Sequence, residues 1–235
     1  MKKIFWHFFL ISFLTTVNDL SAQNLERFQN EVNTIVKRYA EYSLIDRTDS
    51  HLTNNKRKKP LAVFTGSSSI RFWTSLSYDF PEFTILNTGF GGSTYAELFH
   101  YRDQLIGQYT PDIVVIYEGD NDVTGSNSVD EIFATASGLY TYLTHELPET
   151  RVIILSAKPS PLRWSLKPSY DKLNSYFANY AHENEQFTYV DIWCPMLGDN
   201  GKPLSSIYLQ DSLHMNRAGY QIWKQTISPY LHKLK

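Results

Sequence analysis

Asp211 and His214 stand three residues apart in 211-DSLHMNRAGY-220. At that spacing the carboxylate can accept from one imidazole nitrogen within a single turn. This fixes the tautomer, stabilises the imidazolium and leaves the other nitrogen to act as a base. A purely structural His–carboxylate pair has the same signature. A base of this kind needs a nucleophile, and 63-VFTGSSSIRFW-73 offers three serines after an apolar run. A serine at a helix amino terminus sits where free N–H groups and the helix dipole favour developing negative charge. The plain alternative is that Ser67, Ser68 and Ser69 cap a helix; the Gly/Lys spacing of a phosphate-binding loop is absent. In 87-NTGFGGST-94, three glycines in four positions let the backbone approach a ligand. Their spacing is not that of a dinucleotide fingerprint, and a tight βα turn would use them equally well. In 117-YEGDND-122, Asn121 supplies a side-chain N–H donor. Glu118, Asp120 and Asp122 could instead ligate a divalent metal, although adjacent acids in a loop are expected to face solvent. His100, His145 and His182 fall in predicted helices and His232 near the carboxyl end. Cys194 is expected to be buried, with no neighbouring base to activate it.

These residues need a frame. Short apolar runs occur at 61-LAVFTG-66, 84-TILNTG-89, 112-DIVVIYEG-119, 151-RVIILSAK-158 and 187-FTYVDIW-193. Near-continuous apolar strands are buried on both faces, as in a parallel sheet. The stretches near 93–108, 128–147, 167–185 and 216–233 can hold crossover helices, the last capped by Asn216. Leu25, Phe28, Val32, Ile35, Val36, Tyr39 and Tyr42 recur at helical spacing and predict an amphipathic helix near 24–45. The expected fold is a three-layer, doubly wound α/β domain, flavodoxin-like, with a mostly parallel sheet of about five strands. In such sheets ligands bind beyond the carboxyl ends of the strands. Segments 66–69, 89–93, 118–122 and 158–161 should therefore meet on one rim. The domain is expected to span 60–235. Residues 23–59, a helix followed by the polar loop 48–59 with its basic run 56-KRKK-59, should pack on it.

Residues 1–22 read as a secretory signal peptide: Lys2 and Lys3, an apolar stretch from Ile4 to Leu14, then small residues ending at Ala22. Cleavage after Ala22 leaves 20 basic and 23 acidic residues, a net charge of −3. The chain is expected to be exported, periplasmic or secreted, without stable membrane insertion once the leader is removed. The whole chain has 235 residues, 42% hydrophobic and 20% charged, a globular composition. A net charge of −2 argues against a nucleic-acid partner. A single cysteine excludes an internal disulfide framework and a multi-cysteine metal site.

The motifs gain weight from their order. A serine follows the first strand, glycines the second and Gly-x-Asn the third, and Asp-x-x-His precedes the last helix. This resembles the SGNH, or GDSL-like, esterase family over about residues 61–230. The resemblance implies that Ser68, third residue of 66-GSS-68, is the nucleophile, with Asp211 and His214 completing its triad. It implies an oxyanion hole formed by Ser68, Gly92 and Asn121. The usual Gly-Asp-Ser-Leu is replaced by 66-GSSS-69, so Ser67 and Ser69 are rivals to Ser68. The register with Ile70 and Trp73, in the branch written GSSSIRFW, favours Ser68. The loop 157-AKPSPLRW-164 is expected to wall the cleft with Arg163 and Trp164. Phe72, Trp73 and Phe90 are expected at the rim, to stack on sugar rings or line an acyl pocket. The implied mechanism needs no metal or organic cofactor. The expected substrate is a small-molecule or carbohydrate ester, with short acyl groups such as acetyl. The alternatives are a lysophospholipase or thioesterase-type acylhydrolase, a metal-dependent phosphoesterase and a non-catalytic carbohydrate-binding domain.

Overall fold

In the computed structural model the five apolar runs become five strands: β1 (Leu61–Gly66), β2 (Thr84–Asn87), β3 (Ile113–Tyr117), β4 (Arg151–Leu155) and β5 (Phe187–Val190). They lie in the order β2-β1-β3-β4-β5, and every neighbouring pair is parallel. The structure describes residues 25–43 and 59–234. The expected signal peptide and most of the polar loop 48–59, with three residues of its basic run, lie outside the described residues. Lys59, the last of that run, donates to the Pro81 carbonyl.

Nine α-helices surround the sheet among the described residues. They are α1 (Gln29–Arg38), α2 (Ala40–Ser43), α3 (Ser68–Arg71), α4 (Leu76–Asp79), α5 (Tyr95–His100), α6 (Arg102–Leu105), α7 (Val129–Glu146), α8 (Lys167–Glu183) and α9 (Arg217–Lys233). Val114 and Ile116 of β3 enter a core shared with α1, α5, α7 and α8. Ile113, Val115 and Tyr117 enter a second core, shared with α3, α4 and α9. This two-residue alternation with both faces covered is why β3 reads as unbroken apolar sequence. The result is the expected three-layer α/β fold with a fully parallel sheet.

Three elements differ from the sequence expectation. The helix near 24–45 is interrupted at Tyr39 (φ −113°), whose ring turns against Tyr42 and Tyr109. The helix near 93–108 is two short ones, because Tyr101 leaves helical geometry at φ −94°, ψ 13°. The last strand stops at Val190, because Asp191 Oδ1 accepts the backbone N–H groups of Trp193 and Cys194 and turns the chain.

Candidate active site

β1 ends in Gly66 at φ +122°, where a Cβ would lie 1.8 Å from the Tyr117 carbonyl oxygen. Only glycine fits that approach. The chain then turns, Ser67 N–H donates to the same carbonyl at 3.1 Å, and Ser68 opens α3. Ser67 and Ser69 are 1% and 2% exposed, while Ser68 is half-buried. The Ser69 carbonyl is held by the Tyr220 hydroxyl at 2.9 Å. Of the three rivals, the turn presents Ser68.

The loop before α9 brings the Asp–His pair to this serine. Asp211 Oδ1 accepts the backbone N–H groups of Leu213 and His214, each at 2.9 Å. Its Oδ2 lies 2.6 Å from His214 Nδ1. His214 Nε2 is 3.0 Å from Ser68 Oγ. The hydrogen bond from His214, then the Leu213 N–H, hold the Asp211 carboxyl down at about 2, so it is ionised at neutral pH. Ser212 sits at φ +58°, and Leu162 N–H donates to its carbonyl at 3.2 Å, tying this loop to the one after β4. Asn216 caps α9 as expected, accepting from Ala218 and Gly219. The edge of Phe72 lies against His214, with ring centroids 5.1 Å apart.

Gly92 and Asn121 follow β2 and β3. Gly92 is exposed at φ +73°, and its N–H donates to no described residue. Asn121 Nδ2 donates to the Ser93 carbonyl at 2.9 Å, joining the two loops. The amide nitrogen has a second proton to offer. Ser68 N–H, at the open start of α3, likewise donates to no described residue. A serine hydroxyl with a base, and N–H donors on the same sheet rim, suit attack on a carbonyl and stabilisation of the resulting oxyanion.

The acids around Asn121 are buried, contrary to the expectation that they face solvent: Glu118, Asp120 and Asp122 are 0%, 4% and 9% exposed. Asp120 is tolerated because it is neutralised. Lys158 Nζ, itself wholly buried, lies 3.2 Å from Oδ2 and Arg163 Nη1 2.8 Å from Oδ1. The Tyr170 and Tyr117 hydroxyls donate to the same carboxylate at 2.5 and 3.1 Å. Burial works against its charge, but Lys158, Arg163 and Tyr170 outweigh it and hold the carboxyl well below the usual range. Burial instead pushes Asp122 up to about 7 and, with Asp122 beside it, raises Glu118 far above its ordinary value. Among the described residues no three acid, histidine or cysteine side chains gather as metal ligands would. The Lys158–Asp120–Tyr170 network was not anticipated from sequence. Its one local sign is a lysine between Ala157 and Pro159 at a strand end.

The expected lining residues fare unevenly. Phe90 does not line the cleft: it is fully buried, because Phe28 and Tyr101 pack edge-on against it. Trp73 is also buried, among Phe64, Phe80, Tyr220 and Trp223, with its Nε1 donating to Asp79. Phe72, next to it, is 44% exposed. Arg163 is largely turned inward, donating to the Asp120 carbonyl at 2.6 Å and to Asn121 Oδ1 at 3.1 Å. Trp164 is half-buried and stacked on Trp193 at 5.8 Å. Cys194 is exposed rather than buried, since it sits in the turn after β5. The Asp191 hydrogen bond, and burial after it, push its thiol up to about 11, so it stays protonated at neutral pH.

Among the described residues no helix is long and apolar enough to cross a membrane. No curated protein matches the sequence. Solved structures match it across most of its length. A candidate acylhydrolase from Bacteroides fragilis is 22% identical, with a TM-score of 0.70 over 93% of this chain and 100% of that one. A GDSL-like lipase from Bacteroides thetaiotaomicron is 24% identical, with a TM-score of 0.67 over 85% and 98%. A catalytic mutant of an acetylxylan esterase from Geobacillus stearothermophilus is 17% identical, with a TM-score of 0.61 over 76% and 96%. At these identities the likeness speaks for the fold. The sequence model of the GDSL-like lipase/acylhydrolase family matches residues 61–222, from β1 into α9. The chain belongs to that family and is an SGNH-type ester hydrolase.

Proposed function

We propose that Ser68, His214 and Asp211 form the catalytic triad of an exported esterase that removes short acyl groups, acetyl first among them, from carbohydrate. The observation that carries this reading is the chain of short distances from Asp211 Oδ2 through the imidazole to Ser68 Oγ, 2.6 and 3.0 Å. In this reading Ser68 Oγ attacks the ester carbonyl while His214 Nε2 takes its proton. Asp211 orients the ring and balances its charge. The Ser68 N–H, the Gly92 N–H and Asn121 Nδ2 receive the oxyanion, each donor contributing ~3 kcal/mol to the transition state. His214 then protonates the departing alcohol. Water hydrolyses the acyl-Ser68 intermediate by the same route.

Acetyl groups on carbohydrate are favoured by two observations. One structural neighbour is an acetylxylan esterase. Trp164, next to Arg163, stays partly exposed, with Trp193 stacked on its ring and Lys202 Nζ 5.0 Å from the ring centroid. A longer-chain acylhydrolase, of the lysophospholipase or thioesterase kind, is the second reading. It is favoured by Phe72 and Leu209, 44% and 51% exposed on the segments that carry Ser68 and His214, and by Leu162, 59% exposed on the loop after β4. The signal peptide 1–22 and a single domain at 60–235, with 23–59 packed on it, belong to the same proposal. A panel of acetyl, butyryl and longer aryl esters beside acetylated xylan tests it. Preference for acetyl esters and release of acetate from xylan are expected. A kcat/KM that climbs with chain length would select the second reading, and turnover surviving Ser68→Ala would reject both.

A further inference from the structure

Arg27 and Glu31 lie before residue 61, outside the stretch that matches the family, yet both reach the loop that carries Gly92. Arg27 Nη2 donates to the Gly92 carbonyl at 3.2 Å. The same guanidinium is locked by Glu97, at 2.5 Å to Oε1 and 3.0 Å to Oε2. Glu97 in turn accepts the Thr94 N–H at 2.9 Å, at the start of α5. Glu31 Oε1 accepts the Gly91 N–H at 3.3 Å and pairs with Arg71 Nε, at the end of α3, at 3.0 Å. Phe28 packs edge-on against Phe90, ring centroids 5.1 Å apart. Further along, the Asn87 N–H donates to the Tyr39 hydroxyl at 3.1 Å.

These bonds fall on particular peptide units. The unit joining Phe90 to Gly91 is held through its N–H. The unit joining Gly92 to Ser93 is held through its carbonyl. Between them lies the Gly91–Gly92 unit, which bears the Gly92 N–H. Two consecutive glycines have little conformational preference of their own. A cradle of preorganised donors depends on that preference being supplied from outside. We propose that Arg27 and Glu31 are positioning residues that hold the Gly91–Gly92 peptide with its N–H toward the oxyanion. The amino-terminal segment is then part of the catalytic apparatus, acting through Gly92. This rests on Gly92 being an oxyanion donor.

The test uses the full chain with Arg27→Gln, Glu31→Gln and the double substitution, beside Ser68→Ala. Turnover of p-nitrophenyl acetate is measured per active site titrated with a fluorophosphonate, together with phenylboronic acid inhibition and melting temperature. Each single change should lower kcat by about tenfold and the pair by up to ~10²-fold, within the worth of one oxyanion donor. KM should move by less than about twofold. Boronate affinity should fall in step with kcat, since the tetrahedral adduct uses the same donor. If the singles lower the melting temperature but leave turnover per titrated site and boronate affinity unchanged, the amino-terminal segment is only a structural prop and the proposal fails. The singles decide the matter if the double variant does not fold. Turnover that persists in Ser68→Ala would overturn the reading of the site itself. Inactive Ser68→Ala beside unaffected Arg27 and Glu31 variants would overturn the brace alone.

Discussion

Arg163 determines which end of the Asn121 amide faces the rim. Its Nη2 donates to Asn121 Oδ1 at 3.1 Å, so the amide nitrogen is the end turned to the Ser93 carbonyl. Arg163 is itself fixed by Asp120, through both the carboxylate and the backbone carbonyl. The oxyanion donor proposed at Asn121 is thus oriented from the loop after β4, on the far side of β3 from β1. Asn121→Ala should lower kcat by roughly 10²–10³ with little change in KM. Arg163→Met should cost about tenfold, because the amide can then turn over. Steady-state kinetics on an acetyl ester read both. A folded Asn121→Ala with wild-type kcat would remove Asn121 from the oxyanion hole.

The second expectation concerns the three serines. Ser67 and Ser69 are buried, whereas Ser68 Oγ meets the imidazole. A fluorophosphonate probe followed by peptide mass analysis should find the adduct on Ser68. Label on either neighbour would shift the nucleophile by one position and detach it from His214.

What could be seen in the sequence was what is local. The strands themselves, Gly66 with its serines, and Asp211 with His214 are each carried by a few adjacent residues, and their order along the chain did the rest. What could not be seen depends on partners far apart. Phe90 looks like a rim aromatic until the turn before α1 lays Phe28 on it, 62 positions away in the chain. Asp120 looks solvated because its cations, Lys158 and Arg163, lie 38 and 43 positions further on. Loop acids are polar by type, and no periodicity separates a solvated one from one buried against a buried lysine.

Asp211→Asn should leave the fold intact, since Asp211 is half exposed and its bonds are confined to its own loop. The amide would no longer hold the imidazole in the tautomer that accepts from Ser68, and kcat should fall by about 10⁴. Asp211, ionised from about 2 upward, adds no step near neutrality. The rate–pH profile and a melting curve of each protein check this together. A wild-type melting temperature with undiminished kcat in Asp211→Asn would mean that Ser68 does not depend on an oriented base.

Lys158→Met removes one cation from a buried, multiply bonded carboxylate and keeps most of the side-chain volume. Breaking such a pair typically costs about 3–5 kcal/mol. Because Arg163 and two tyrosines still contact Asp120, the lower end, about 3 kcal/mol, is expected. For a domain of this size that is a fall in Tm of roughly 6–12 °C. Scanning calorimetry checks it. A variant as stable as the parent would mean that the pair's attraction does no more than cancel its desolvation.

Asp122 supplies a pH dependence of the opposite kind to an ordinary ion pair. Its Oδ1 accepts the Tyr95 N–H at 2.9 Å, while Oδ2 has no partner among the described residues. Burial raises the carboxyl to about 7 in the folded protein, against about 3.9 in the unfolded chain. Between those values the folded state binds the proton more tightly than the unfolded state. The stability this provides is complete below about pH 4 and is lost as the pH rises to about 7. Buried Glu118, also raised, carries the same sign. Asp79 and Asp120 are held low against their burial, by Arg217 and by Lys158 and Arg163 respectively, and carry the opposite sign. Their contribution is present above about pH 4 and fades only in stronger acid. Asp122→Asn keeps an acceptor for the Tyr95 N–H and abolishes the titration. The stability of Asp122→Asn relative to wild type should therefore grow between about pH 4 and pH 7, by about 4 kcal/mol at most. Urea unfolding of both proteins at the two ends of that range measures it. A difference that stays flat with pH would mean that Asp122 is already ionised at pH 4 in the fold, with its second oxygen reaching water.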